Sequence, residues 1–149
     1  MNDAPQYRMV NIAGRPIYPL LAQFPVVCFT GALVSDIAYW RTANLIWSTF
    51  SAWLLAVGVI LGIVALIIGL IDFFTDRFVR RQRAAWVYMI GSLLALVLSI
   101  FNLFVHGRDG WTAVVPTGIT LSVIVFLILV FDTWVGWPSG YRYDLGLSK

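Results

Sequence analysis

Four ionisable side chains interrupt the long apolar runs of this chain: Asp36, Asp72, Asp132 and His106, the last being its single histidine. An aspartate at a transmembrane helix centre costs about 2.5–3.5 kcal/mol on insertion scales, so each of the three is a functional candidate by default. Carboxylates at intermediate depth would suit a proton path, and paired histidines would suit haem. The spacing points instead to ion-paired anchors. Asp36 is expected about one turn from one end of its run, where it would meet Arg41 or Arg108. Asp72 and Asp132 are expected within a turn of the opposite end, beside Arg77, Arg80 or Arg81. His106 closes its run next to Gly107, Arg108 and Asp109, and is expected to be a hydrogen-bonded residue at the interface. It cannot build a bis-histidine haem site alone. Met89, the conceivable second axial ligand, falls about 25 Å away along the same helix. Cys28 has no partner cysteine, glutamate is absent, and no nucleophile–base pair, phosphate loop or metal cluster is evident. Neither enzymatic activity nor a metal or resident cofactor is expected.

The polar residues nevertheless fall on ordered faces. Tyr88, Ser92, Ala95, Ser99, Asn102 and His106 recur at alternating intervals of four and three, which places them on one side of a helix. Gly58, Gly62, Ala65 and Gly69 do the same, with Asp72 continuing the line and Gly58 and Gly62 forming a G-x-x-x-G. Gly118, Ser122 and Asp132 share a third face with Val125 and Leu129. Lipid gives helices no hydrophobic reason to associate, so small residues that allow close approach, and a few polar contacts, must hold them together. These stripes read as the interior of a helix bundle. The sharper alternative is that the third-helix stripe Tyr88, Ser92, Ser99, Asn102 and His106 lines a site for a cofactor such as quinone, or for lipid.

The elements that must position these faces are membrane spans. Sixty per cent of the 149 residues are apolar and only 11% are charged, against about 25% charged in a soluble domain. A chain this small has too few polar groups to cover a water-exposed surface. About 20 apolar residues cross the hydrocarbon core as a helix, and four stretches qualify, at about 18–40, 47–74, 84–105 and 113–135. Connections of about six to nine residues imply an all-α, up-down-up-down bundle, with residues 1–17 and 136–149 as polar ends. Of the ten arginines and lysines, Arg8, Arg15, Arg77, Arg80, Arg81, Arg83, Arg142 and Lys149 flank one side, and only Arg41 and Arg108 the other. That asymmetry places both termini in the cytoplasm. Aromatic belts agree: Tyr39, Trp40, Trp47 and Trp111 on the outer side, and Tyr18, Phe73, Trp86, Trp134 and Trp137 on the inner. Pro25 should free a carbonyl and kink the first helix, Pro19 sits in its first turn, and Pro116 reads as an ordinary helix entry. The net charge of +3 does not indicate nucleic acid, because the basic residues cluster beside the spans.

Several short motifs resemble a known family. Tyr18-Pro19-Leu20-Leu21-Ala22-Gln23-Phe24-Pro25, Asp36, Gly69-Leu70-Ile71-Asp72-Phe73, Gly136 and Gly140-Tyr141-Arg142-Tyr143-Asp144-Leu145-Gly146 follow in order along residues 14 to 147. They look like DUF2231, small four-helix bacterial membrane proteins classed as a domain of unknown function. That family opens with His-Pro-x-x-x-His-Phe-Pro and closes with a Tyr-x-His-Gly-Val-Gly tail. Here Tyr18 and Gln23 stand at the two opening histidine positions and Asp144 at the tail position. The resemblance therefore implies the fold, and implies loss of any haem or metal chemistry that those histidines support. Pro19, Phe24, Pro25, Asp36, Gly69, Asp72, Gly136, Gly140, Tyr143 and Gly146 carry over, mostly as architecture.

These features together lead to the expectation of a non-catalytic accessory subunit of a larger membrane complex (respiratory, dehydrogenase-linked or photosynthetic) in the bacterial inner membrane. Lipid and other membrane subunits are the expected partners. A cytochrome b-like or quinone-interacting electron-transfer subunit is the first alternative, and a small oligomeric transporter the second.

Overall fold

The computed structural model describes residues 11–12, 15–16, 18–75, 81, 83–108 and 114–144, with side chains over 21–75, 81, 83–108 and 114–135. A two-residue antiparallel ladder, β1 (Asn11–Ile12) against β2 (Arg15–Pro16), precedes the helices. Four helices then carry the fold: α1 (Tyr18–Thr42), α2 (Leu45–Thr75), α3 (Arg83–His106) and α4 (Ile119–Asp144). All four are long and apolar enough to cross a bilayer. The protein is an all-α, four-helix membrane protein.

Each helix packs on its sequence neighbours, and α4 returns to α1, so the four seams close into a ring. The α1–α2 seam is the most extensive and the α1–α4 seam the thinnest. Even-numbered antiparallel threading leaves β1–β2 and the end of α4 at one end of the bundle, here the terminal end. The α1–α2 turn and the α3–α4 connection lie at the other, the hairpin end.

The interior obeys the alternating four-and-three spacing on every helix. Pro25, Phe29, Ala32, Asp36 and Tyr39 face inward from α1, and Ser51, Leu55, Gly58, Ala65 and Gly69 from α2. Ala95, Ser99, Asn102 and His106 do so from α3, and Gly118, Ser122, Val125, Leu129 and Asp132 from α4. An average repeat of 3.5 residues keeps a seam facing its partner along the whole helix. The rest faces outward: only 22–33% of each span is buried within the protein, and Val27, Ile46, Ile60, Phe104 and Leu127 are all more than half exposed. Such an outer surface is stable only when lipid or another protein covers it.

Glycines set the closest approaches. A methyl group on Gly58 would fall 2.6 Å from Cε1 of Phe29, and one on Gly62 would fall 3.0 Å from Cδ1 of Leu96. The two glycines of the G-x-x-x-G thus serve different neighbours, Gly58 admitting α1 and Gly62 admitting α3. Pro25 also lies against Gly62, and helix α1 continues through it without interruption.

Several expectations need correction. The α1–α2 connection is two residues, not six or more: Ala43 takes a left-handed conformation (φ 52°) with its N–H donating to the Tyr39 carbonyl at 2.7 Å. Asn44 then caps α2, its Oδ1 accepting from the Ile46 N–H at 3.1 Å. A β-carbon is strained at such a φ, so Ala43→Gly is expected to stabilise the protein by roughly 1 kcal/mol, measurable as a later unfolding midpoint in micelles. Pro116 is no ordinary helix entry. Residues Val114–Gly118 form an irregular turn in which Val115 is extended and the Val115–Pro116 peptide is cis. Helix α4 runs on to Asp144, so residues 136–144, expected as tail, have helical backbone. Tyr39 and Phe73 are buried and do not join the aromatic belts, although Trp40, Trp47, Trp86 and Trp134 are exposed. Phe73 instead makes a T-shaped contact with Trp86, with ring centroids 4.9 Å apart.

Candidate functional site

Most hydroxyls in the bundle hide their donor from lipid by bonding back to their own helix. Thr30, Ser35, Ser99 and Thr133 each donate to the carbonyl four residues earlier, at 2.7–2.8 Å. Ser51 and Ser122 behave differently. Both reach across helices to one carboxylate, that of Asp36.

Ser51 Oγ on α2 donates to Asp36 Oδ1 at 2.6 Å, and lies 3.3 Å from the Ala32 carbonyl. Ser122 Oγ on α4 donates to Asp36 Oδ2 at 2.5 Å. Nε2 of His106 on α3 lies 2.9 Å from Asp36 Oδ1. Asp36 is fully buried and is therefore held by all three other helices at once. Behind it, Asn102 Nδ2 donates to Ser122 Oγ at 2.7 Å, and His106 Nδ1 lies 3.0 Å from the Asn102 carbonyl. The bonds close a ring: Asn102 amide, Ser122, Asp36, His106, and back to the Asn102 backbone.

Elementary donor counting fixes most of the protons. A carbonyl only accepts, so Nδ1 of His106 carries hydrogen. Ser122 gives its one proton to Asp36, so Asn102 must present its NH₂ to Ser122. The Asn102 Oδ1 is left without a partner among the described residues. One further proton sits between Asp36 Oδ1 and His106 Nε2, as carboxylate–imidazolium or as carboxylic acid–imidazole. The pair is neutral as a whole in either form, which makes its burial in a membrane tolerable.

Serine, histidine and aspartate in contact invite comparison with a hydrolytic triad, but the wiring differs. In that device the carboxylate holds Nδ1 and the serine faces Nε2. Here Ser51 and Asp36 both face Nε2, at 3.3 and 2.9 Å, and Nδ1 is held by backbone. Both ring nitrogens are engaged, so ligation of haem iron would require dismantling the ring. The cluster lies six residues from the hairpin ends of α1 and α2, about 9 Å inside.

A second polar position stands nearer the terminal end. The Asp132 side chain on α4 is buried, and neither carboxylate oxygen has a hydrogen-bond partner among the described residues. The carboxylate occupies the place that a β-carbon of Gly91 would take. Ser92 stands beside it. Gly91 is eight residues into α3, so this carboxylate lies about 12 Å in from the Arg83 end.

The expected pairings are therefore corrected. Asp36 meets Ser51, Ser122 and His106, whereas Arg41 and Arg108 are exposed. His106, the last residue of α3, is hydrogen-bonded as expected, and its side chain is buried among the helices. Asp132 is more than a turn from any helix end and does not pair with Arg81, which is exposed along with Arg83. Asp72 is half-buried near the terminal end of α2. Arg77 and Arg80 lie outside the described residues, as do the side chains of Tyr18, Gly136, Gly140, Tyr143 and Asp144. Of the third-helix stripe, Ser99, Asn102 and His106 are buried toward the hairpin end, and Tyr88 and Ser92 line a cavity with Asp132. Ser51 and Gly91 were not singled out from sequence. Continuing the α2 stripe from Gly58 through Leu55 reaches Ser51 at the same spacing, so its signal was present. Gly91 stands one position off the α3 stripe and gave none.

A family model described as predicted membrane protein (DUF2231) matches residues 14–149, nearly the whole chain. No curated protein and no solved structure matches it. The chain belongs to the DUF2231 family.

Proposed function

We propose that this DUF2231 member is a non-catalytic accessory subunit of a larger complex in the bacterial inner membrane, with both termini cytoplasmic. One observation carries the proposal. The chain's most elaborate polar constellation, around Asp36, turns inward and joins all four helices. A catalytic group must reach substrate, whereas Asp36 and the His106 side chain are closed off from every outside molecule. The outer surface is apolar on all four helices, suited to lipid and to neighbouring transmembrane subunits alike. Arginine placement in the sequence supports the cytoplasmic assignment of the ends.

Extraction of the tagged protein from its native membrane in mild detergent tests this directly. It is expected to migrate with other membrane subunits in fixed stoichiometry, well above its own 16.7 kDa. Recovery of the chain unaccompanied would reject the proposal.

A further inference from the structure

The Asp132 carboxylate needs a hydrogen-bond partner that the described residues do not provide. It lines a cavity of about 60 Å³ among the four helices, with Tyr88 and Ser92 as the other polar side chains of α3 on its wall. A water occupies about 30 Å³ of liquid, so the space admits a small polar group the size of one or two waters. Val26, Leu129 and Thr133 form part of its wall and also line a second, open groove of about 330 Å³ between α1 and α4. That groove faces lipid along the thinnest seam of the bundle, flanked by Phe126, Val130 and Trp134. The polar cavity therefore lies directly behind a lipid-facing apolar slot.

We propose that the groove and cavity together bind a membrane-soluble quinol or quinone, its ring oxygen at Asp132 and its ring and tail in the slot. A metal cation fits poorly, because hard cations take six or more oxygen ligands and the cavity wall is mostly Pro25, Val26, Phe29, Leu66, Leu96 and Leu129. A quinone oxygen fits both states of the acid. An ionised Asp132 accepts from a quinol hydroxyl, and a protonated Asp132 donates to a quinone carbonyl. The hydroxyls of Thr30 and Thr133 already donate to their own helix, so the polar end of the site is set by Asp132 with Tyr88 and Ser92 beside it. Gly91 has a defined role here: its missing side chain gives the carboxylate its seat. The proposal is independent of the accessory-subunit reading, since the isolated chain would bind ligand with or without a partner.

The test uses full-length protein in nanodiscs and decylubiquinol as probe, followed by quenching of tryptophan fluorescence. Saturable quenching is expected, above the linear partitioning seen with protein-free discs. Asp132→Leu should weaken it about tenfold, the loss of one charge-assisted hydrogen bond. Asp132→Asn, which keeps both a donor and an acceptor, should stay within about threefold of wild type, half that loss on the logarithmic scale. Gly91→Ala keeps the carboxyl group but unseats it, and should weaken binding as Asp132→Leu does. Circular dichroism of each variant confirms that the helices persist. Quenching that is linear, or unchanged in Asp132→Leu and Gly91→Ala, would overturn the proposal. Displacement of the probe by dodecanol at equal concentration would also overturn it, by showing a site for any lipid hydroxyl.

Discussion

Asp36→Ala is expected to be the most damaging single substitution in the bundle, costing about 3–5 kcal/mol, the range for removing one partner of a buried ion pair. Two effects compete in setting that size. Individual hydrogen bonds between transmembrane helices average only about 0.6 kcal/mol, because the unfolded chain in a membrane finds substitutes. If the cluster were just a set of separate bonds, the loss would stay near 2 kcal/mol. The geometry argues for the larger value, since Ser51, Ser122 and His106 all aim at one carboxylate from three helices and lose their shared acceptor together. Asp36→Asn should fall between alanine and wild type. Its single carbonyl can accept from only part of the set, and its NH₂ can satisfy His106 Nε2. Equilibrium unfolding in mixed micelles provides the measurement. Combining Asp36→Ala with His106→Ala should cost less than the two losses added, the signature of residues in one network. A loss from Asp36→Ala within about 0.5 kcal/mol of zero, as at an uninvolved surface position, would show that the cluster does not hold the helices.

Gly58→Ala is expected to destabilise the protein by about 2 kcal/mol, within the usual cost of overpacking a tight core. The added methyl would meet Cε1 and Cδ1 of the Phe29 ring at 2.6 and 2.9 Å and Cβ of Cys28 at 3.0 Å. A phenyl ring packed on the most extensive seam cannot swing aside as the tip of a flexible chain would. Gly62→Ala should cost less, because its nearest neighbour is a leucine methyl at 3.0 Å. Phe29→Leu should recover part of the Gly58→Ala loss by removing the obstructing ring edge. The same unfolding assay separates these outcomes. Equal losses at Gly58 and Gly62, with no recovery by Phe29→Leu, would place the close approach elsewhere.

Much of the fold was legible in the sequence because membrane spans are written in run length, a property of local composition. The four apolar stretches correspond to α1 to α4, and the stripe through Tyr88, Ser92, Ser99, Asn102 and His106 faces the interior along its length. What composition could not supply was partner identity. Asp36 and Ser122 are 86 residues apart and Asp36 and His106 are 70, and nothing local distinguishes those pairings from one with a nearby arginine. Expecting Arg41 to pair with Asp36 assumed that a charge seeks the nearest opposite charge in sequence. In a bundle, depth and helix face decide instead, and residue 41 is not on the face that carries residue 36. Asp132 was misplaced for a different reason. Its depth was measured from the end of the apolar run at residue 135, whereas α4 continues as helix for nine residues beyond that end. The Gly91 seat was invisible because it depends on the rotational match of α3 and α4. The turn at Ala43 was hidden as well, since alanine seldom takes a left-handed conformation.

Solid-state NMR of the protein in lipid bilayers, with ¹⁵N-labelled histidine and ¹³C-labelled aspartate, probes the four-helix clasp most directly. One histidine gives a single imidazole pair to assign. The expected result is a protonated Nδ1, together with magnetisation transfer between Nε2 and the Asp36 carboxyl carbon, as their 2.9 Å N···O contact requires. An unprotonated Nδ1, or an Asp36 carboxyl that correlates with arginine nitrogens and not with His106, would contradict it.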